Sequence, residues 1–259
     1  MTEGPLAGRV VLVTGASRRA AIGAGIARLL AARGADLFLC SWPAHDDEQP
    51  WGGDPGGVEA LSGELRAAGA HVAHLAADFA DPAAPDRVLE AAVDAYGHVD
   101  ALVANHARSS ELSLEDLTAS ELDLTLAVNT RATLLLVRAF AAQHDGREGG
   151  RVVLFTSGQH LGPMPAELPY VASKGALHQL TPSLAAHLSG RGITVNCVNP
   201  GPTDTGYLDH EAIASTLERF PAGRWGSPED AARLVAWLLC DDARWITGQV
   251  INSEGGFRR

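Results

Sequence analysis

Lysine is almost missing from this sequence. Of its 259 residues 20 are lysine or arginine, and reading along the chain finds a single lysine, Lys174. Every other such position is arginine, which a coding bias toward arginine would produce. The bias makes the exception informative. Lysine carries a compact ammonium with a tunable pKa, whereas arginine carries a broad fork that stays charged. A chain that otherwise uses arginine and keeps one lysine points to a chemical need for an ammonium there.

Other absences narrow the function classes. The three cysteines, Cys40, Cys197 and Cys240, are odd in number, far apart and without C-x-x-C spacing. That excludes a disulfide framework and a thiolate zinc site, and leads us to expect free thiols in a reducing cytoplasm. Positive charge is in deficit, with a formal net charge of −11. Phosphate backbones want a basic surface, so no nucleic-acid partner is expected, and docking onto another strongly acidic protein is disfavoured. No apolar run is expected to reach the ~20 residues that span a bilayer. Met1 to Arg9 has no basic region followed by an apolar one, so neither a membrane partner nor a secretory leader is expected. The ten histidines form no H-E-x-x-H, and no metal site is expected. Phe155-Thr156-Ser157-Gly158-Gln159 lacks both glycines of the serine-hydrolase elbow G-x-S-x-G.

What is present is an alternation. Gly8–Thr14 is a β-branched, apolar run ending at Gly15, as a buried parallel strand reads. Ile22–Arg33 is an Ala/Leu-rich helix, and Asp36–Ser41 a second strand. Helices are then expected over Val58–Ala68, Ala84–Tyr96, Glu115–Gln143 (broken near its start), Leu168–Ser189 and Pro228–Leu239. Strands are expected over His71–Ala76, Val99–Val103, Arg151–Thr156, Ile193–Val198 and Val250–Asn252. Ser227-Pro228-Glu229-Asp230 is a strong helix start. Pro182, inside the helix from Leu168, should kink it or begin a new one capped by Thr181. Strand–helix alternation implies an α/β fold: a doubly wound, mostly seven-stranded parallel sheet with helices on both faces. Residues 1–259 read as a single domain. Two long connections interrupt it: a Gly/Pro/Asp-rich insertion over Trp42–Gly57, and a substrate-lid region at about 203–226.

The loop Thr14–Gly23 joins the first strand to the first helix, where backbone N–H groups at a positive helix end bind a dinucleotide pyrophosphate. Gly15 permits the tight turn and Gly23 the close approach; Ser17 and Ile22 lie between them. Dinucleotide sites that prefer NAD place an acid at the end of the second strand to bond the ribose hydroxyl. Here that strand ends Cys40-Ser41-Trp42, and Arg18 and Arg19 stand in the first loop, where a guanidinium could pair with a 2′-phosphate. The expected cofactor is therefore NADP(H), with NAD(H) possible.

Tyr170 and Lys174 are four apart, so on a helix they share a face. Ser157 falls just past the strand ending at Thr156. An unperturbed tyrosine has a pKa of ~10, and a neighbouring ammonium lowers it toward usefulness. Ser157 could hydrogen-bond a substrate oxygen.

Read together, Thr14-Gly15…Ile22-Gly23, Asp78-Phe79, Asn105-His106-Ala107, Asn129, Ser157, Tyr170-x-x-x-Lys174, Asn199-Pro200-Gly201 and Thr247-Gly248-Gln249 resemble the short-chain dehydrogenase/reductase family over nearly the whole chain, most closely its ketoacyl-carrier-protein-reductase-like branch. The resemblance implies a Rossmann fold and hydride transfer between nicotinamide and a carbonyl or alcohol. It implies Tyr170 as acid/base, Lys174 as the residue that holds the ribose and lowers the tyrosine pKa, Ser157 as carbonyl binder and Asn129 as support of a proton-relay water. Asp78, Phe79, Asn105 and Ala107 would line the adenosine end. Pro200, Gly201, Thr203 and Thr205 would line the nicotinamide half. Departures from the family pattern are Ala21 where glycine is usual, a loop lengthened by Arg19-Ala20, and Ala104 and His106 in place of the usual asparagine and alanine.

Gln159, His160, Leu161, Met164, Tyr207 and Leu208 are the candidate pocket wall, mixing polar and apolar groups. Family members that reduce acyl groups on an acidic carrier use basic residues to dock it. Ala141-Ala142-Gln143-His144-Asp145 and Ala185-Ala186-His187 lack those arginines, so a free small-molecule carbonyl is expected rather than a 3-oxoacyl-carrier substrate. The reading from another class is a binding protein that senses NADP(H) without chemistry. By the resemblance a homo-oligomer, tetramer or dimer, is expected.

Overall fold

Strand β1 (Val10–Thr14) is buried at every position, as its uninterrupted apolar run requires of a central parallel strand. It is the middle of a seven-stranded sheet in the order β3-β2-β1-β4-β5-β6-β7. The other strands are β2 (Asp36–Ser41), β3 (Val72–Ala76), β4 (Ala101–Ala104), β5 (Gly150–Phe155), β6 (Ile193–Asn199) and β7 (Val250–Asn252). All pair in parallel, with Val11 facing Leu37 on one side and Ala101 on the other. The molecule is a computed structural model, and it describes residues 4–49, 52–206 and 216–259.

Because successive strand residues point to opposite faces, each strand feeds two cores. Val11, Val13, Leu37 and Leu39 pack with Ile26 and Leu30 of α1 (Ile22–Ala32), Leu61 of α3 (Gly57–Ala67) and Val235 of α8 (Pro228–Leu239). Val10, Leu12, Leu102 and Leu154 pack on the other face with Val88 of α4 (Ala84–Tyr96), Phe140 of α6 (Ala132–Gln143) and Leu188 of α7 (Leu168–Leu188). The sheet is therefore doubly wound. The chain leaves β1 toward one edge and returns through β4 toward the other, so the loops after β1 and β4 part at their carboxyl ends and open a cleft.

Three expectations need correction. Pro182 starts no new helix: α7 runs unbroken for 21 residues, and the Thr181 hydroxyl, fully buried, donates back to the Leu177 carbonyl at 2.8 Å instead of capping. Proline removes a single N–H, and the buried positions Leu177, Thr181, Ala185 and Leu188 on either side hold the helix to the sheet. The expected helix from Glu115 begins only at α5 (Ala119–Leu126), where the Thr118 hydroxyl accepts from Glu121 N. It then passes through a π-helical turn, Ala127–Arg131, before α6. Residues Ala119–Gln143 are also long and apolar enough, by length and composition, to cross a membrane. Here the run packs against α4 and α7 in the layer covering the sheet. The insertion after β2 is not all loop: Pro43–Asp47 forms a short helix, α2, with proline in its first turn.

Candidate active site

Gly15 leaves β1 at φ +74°, and a β-carbon there would meet Asn105 Nδ2 at 2.8 Å and the His106 backbone at 2.9 Å. A β-carbon on Gly23 would run into the Gly15 carbonyl. Both must be glycine for the loop to fold tightly beneath α1. Ala21, at the start of α1, has φ −82°, so alanine replaces the family's glycine there without strain. No side chain caps α1 and no acid lies in its first turn. Its first N–H groups thus remain directed at whatever occupies the cleft, the arrangement that takes a phosphate.

A cavity of about 440 Å³ opens at this point. It gathers Gly15, Ser17, Arg18 and Ile22 from the first loop, Ser41 from β2, Asp78 and Phe79 after β3, Asn105 and Ala107 after β4, and Thr205. Asn105 fixes the mouth by donating to the Thr14 and Gly15 carbonyls at 3.1 and 3.2 Å. The Ser17 hydroxyl accepts from Trp42 N at 2.9 Å, holding the loop to the end of β2. Arg18 donates to the Thr205 carbonyl at 3.0 Å, tying the loop to the segment after β6. Asp78 turns its carboxylate to accept from Ala80 N at 2.8 Å.

His106 settles the packing question that its unusual position raises. It is buried, stacked on Phe79 with centroids 4.2 Å apart. Nε2 lies 3.1 Å from the Val128 carbonyl and Nδ1 2.7 Å from Thr14 Oγ1. A carbonyl only accepts, so Nε2 carries the proton and Nδ1 accepts from threonine. Burial, with Lys174 adding to it, drives the imidazole pKa down to about 3, so the ring is neutral.

Arg19 does not join this cavity. Its guanidinium is clasped by both Asp54 oxygens, at 2.7 Å for the shortest pair, and by the Pro55 carbonyl. Asp54, from the insertion, accounts for that placement. The same insertion supplies residues the sequence reading did not assign to the site. Trp42, Ala44, His45, Asp46 and Glu48 form one wall of the cavity, and Arg108, Ser109, Leu124 and Val128 another. The Gly/Pro/Asp composition of Trp42–Gly57 signalled an insertion but not that α2 would fold over the cleft.

The second half of the site is built around Lys174. It is 2 % exposed, and its Nζ donates to the Phe155 carbonyl at 3.0 Å. It lies 5.6 Å from the centroid of the half-buried Tyr170 ring. Thr156 Oγ1 donates to the Lys174 carbonyl at 2.9 Å and accepts from Gln159 Nε2 at 2.9 Å. Burial lowers the Lys174 pKa to about 8. Ser157 follows two residues after Phe155, beyond the carboxyl end of β5. Asn129 sits in the π-helical turn, fully buried, a device frequent where a helix serves a site. It donates to Ser173 Oγ and to the Arg108 carbonyl, both at 2.9 Å, and accepts from Arg108 N at 2.7 Å. The Ser173 hydroxyl donates to the Tyr170 carbonyl at 2.8 Å, so Asn129 is linked to the turn of α7 that bears the tyrosine.

Around these, Gly201 has φ +66° and its N–H donates to Asn199 Oδ1 at 3.1 Å, so that Pro200-Gly201 leaves β6 in a fixed turn. The Thr203 hydroxyl donates to the Gly201 carbonyl at 3.2 Å. His160 is exposed, with Nδ1 3.2 Å from the Ser157 carbonyl and its ring 4.5 Å from His178. Met164 is half-buried on the approach to α7. Tyr207 and Leu208 lie outside the described residues. Among the described residues no group of three or more His, Cys, Asp or Glu could hold a metal ion.

Comparison with known proteins places this geometry. Residues 15–258 match the family model described as enoyl-(acyl carrier protein) reductase. The chain is 40 % identical to an uncharacterised oxidoreductase, YjdA, of Bacillus subtilis, over 97 % of each chain. It is 35 % identical to dehydrogenase/reductase SDR family member 4 of Homo sapiens, over 97 % of this chain and 88 % of that one. Among solved structures, a short-chain dehydrogenase from Burkholderia cenocepacia in complex with NADP superposes with a TM-score of 0.86 at 35 % identity, covering 97 % of this chain and 98 % of that one. A dehydrogenase/reductase from Sinorhizobium meliloti gives 0.86 at 36 %, covering 97 % and 95 %.

Proposed function

The chain belongs to the short-chain dehydrogenase/reductase family of oxidoreductases, and on that premise we propose that it interconverts a carbonyl compound and its alcohol with NADP(H), using Ser157, Tyr170, Lys174 and Asn129. The observation that carries this reading is the buried Lys174 ammonium, held by the Phe155 carbonyl beneath the Tyr170 ring. A positive charge at that distance favours phenolate over phenol and brings a tyrosine toward neutral pH. In reduction, Ser157 donates a hydrogen bond to the substrate oxygen. Tyr170 gives that oxygen its phenolic proton, and the charge left on Tyr170 faces Lys174. Asn129, through Ser173, keeps the tyrosine-bearing turn in place. The bound nicotinamide supplies the hydride in reduction and takes it up in oxidation. An intact Ser157, Tyr170 and Lys174 argues against a binding protein that merely senses the cofactor.

The uncapped start of α1 and the cavity beside it suit the pyrophosphate and adenosine. Arg18 on the cavity wall and the absence of an acid at the end of β2 favour NADP(H). One observation favours NAD(H) instead: the acidic residues Asp46 and Glu48 line the same cavity. Those side chains would repel a 2′-phosphate and accept from a ribose hydroxyl.

The substrate in this reading is a free small carbonyl compound. The stretches Ala141–Asp145 and Ala185–His187 carry no arginine to offer an acidic carrier, and the net charge is −11. Gln159, His160 and Met164, after β5, are the described candidates for its wall. The exposed indoles of Trp245 and Trp237, 94 % and 39 % accessible, suit a face covered by a second copy, supporting a homo-oligomer. The test mixes the protein with NADPH and a panel of carbonyl compounds, acyl-carrier thioesters included, and follows reduced-nicotinamide absorbance. Tight NADPH binding with no turnover across the panel would favour the sensing protein.

A further inference from the structure

Beyond β7 the chain crosses back over the substrate side of the sheet. The Glu254 carboxylate is almost fully buried, its side chain 7 % exposed. Its Oε1 accepts from Asn199 Nδ2 at 2.9 Å, and its Oε2 from Arg259 Nη1 at 2.9 Å. Arg259 Nη2 also donates to Oε1, so the guanidinium grips the carboxylate with two nitrogens. Burial alone would push this carboxyl up, but Arg259 and Asn199 hold its pKa below the usual value.

Having paired with Glu254, the Arg259 side chain lies flat over the turn that follows Ser157. A β-carbon on Gly158 would collide with Arg259 Nη2, and one on Gly162 would meet Arg259 Cδ at 2.6 Å. A β-carbon on Gly201 would meet Glu254 Cβ at 2.8 Å. Three glycines on two different site loops thus leave room for this one ion pair. Within the turn beneath, Leu161 N and Gly162 N both donate to the Gly158 carbonyl, at 2.9 and 3.2 Å.

The same segment grips Arg219 and Phe220. Phe257 packs on Phe220 with centroids 4.8 Å apart, and the guanidinia of Arg219 and Arg259 lie over its ring at 4.8 and 5.4 Å. Arg258 N donates to the Arg219 carbonyl at 2.9 Å, and Arg219 Nε returns a bond to the Arg258 carbonyl at 2.7 Å.

We propose that Arg259 is a positioning residue for Ser157, and that through Glu254 and Phe257 it couples the chain at Arg219–Phe220 to the turn Gly158–Gly162. The coupling to catalysis rests on the reading of Ser157 given above; the physical link does not. A charge-assisted pair between a buried carboxylate and a guanidinium holds the segment, and the guanidinium plane holds the glycine turn. The strap acts on the substrate half of the site and leaves the adenosine cavity untouched.

The experiment compares the full chain with Arg259→Ala, Arg259→Lys and Gly158→Ala by hydrogen exchange, without cofactor or substrate, and by steady-state kinetics on any carbonyl the parent reduces. In Arg259→Ala the Leu161 and Gly162 amides should exchange about tenfold faster, as should those of Phe220 and Gly223, while amides in β1 keep their protection. Gly158→Ala retains every charge and displaces only the far end of the arginine side chain, so it should reproduce the change at Leu161 and Gly162. With a reducible carbonyl, Arg259→Ala should lower kcat about tenfold and leave the dissociation constant for the reduced cofactor within about twofold. Arg259→Lys, which keeps the ion pair but not the planar cover, should recover protection at Phe220 more than at Leu161. Unchanged exchange at Leu161 and Gly162 in a folded Arg259→Ala protein overturns the proposal. So does an unchanged kcat alongside faster exchange. If the parent reduces no carbonyl, faster exchange in both variants still supports the link to the turn, and it is the catalytic reading that fails.

Discussion

Lys174 Nζ and the carbonyl oxygen of Phe155 are 3.0 Å apart, which joins the chain's one lysine to the last residue of β5. Ser157 is two residues further along and Tyr170 one helical turn before the lysine, so a single hydrogen bond relates all three. An ammonium suits this socket because it is compact and points three donors from one atom. A guanidinium is planar and wider, and Lys174 is among the largest fully buried side chains of the molecule.

Replacing Lys174 with arginine keeps the charge but not the fit. We expect turnover to fall by about 10² or more, since the overpacked fork must leave the socket and take the charge away from Tyr170. Tyr170→Phe should lower kcat by roughly 10²–10⁴, the usual worth of a positioned acid/base. Binding of the reduced cofactor, read by fluorescence, should change little in Tyr170→Phe. A Lys174→Arg protein of normal activity would show that the lone lysine has no chemical role.

Burial sets the pH range. With its pKa brought down to about 8 in the free protein, Lys174 loses its proton as pH rises through that value. The kcat/KM for carbonyl reduction, which reports free-enzyme ionisations, should therefore decline above about pH 8. Stability should respond in the other direction. Between about 8 and the ordinary 10.5 the unfolded chain binds more protons at this residue than the folded one does. This group therefore makes the fold more stable with rising pH across that window and contributes no slope below it. Urea unfolding of the parent and of Lys174→Met at pH 7.5 and 9.5 tests the sign: the parent should gain on the variant as pH rises.

The alternation of apolar strands and amphipathic helices made the fold readable, because a parallel strand buried on both faces must be an unbroken apolar run, as Val10–Thr14 is. The Tyr170–Lys174 pair was readable for the same kind of reason, since helix periodicity alone puts residues four apart on one face. What was hidden depends on contacts between distant segments. Nothing local in Arg19 says that Asp54, 35 residues on, will clasp it while Arg18 lines the cavity. Nothing local in Thr181-Pro182 says that α7 will run unbroken through a proline. The π-helical turn at Asn129 adds one residue to a helical phase that composition cannot reveal. Asp46 and Glu48 reach the cavity only because α2 folds over it.

His106 should make the fold acid-sensitive. Its folded pKa of about 3 lies below the ordinary 6.5. Between those values the unfolded chain takes up a proton that the folded one refuses. The contribution is thus present above 6.5 and is lost as pH falls toward 3. His106→Gln should cost about 1–3 kcal/mol at pH 7.5, through disturbed bonds to Thr14 and Val128. The gap between variant and parent should narrow at pH 5.5 and narrow further at 4.5. A gap of constant size in urea unfolding would mean that the imidazole titrates normally.

Cofactor choice rests on the contest across the adenosine cavity between Arg18 and the two carboxylates Asp46 and Glu48. A charge-assisted hydrogen bond to a phosphate is worth about 1.5–3 kcal/mol. Arg18→Ala should therefore weaken NADPH binding by roughly 10- to 100-fold and NADH binding by much less. Ser41→Asp should work the other way, placing a carboxylate at the end of β2, where it accepts from a ribose hydroxyl and repels a 2′-phosphate. It also removes the Ser41–His74 contact at 3.0 Å, so its stability must be measured alongside. Fluorescence titration of both nucleotides gives the preference as a ratio, in which general damage cancels. A parent that prefers NADH, with Asp46→Asn and Glu48→Gln each raising NADPH affinity, would assign the choice to α2 and make the arginine incidental.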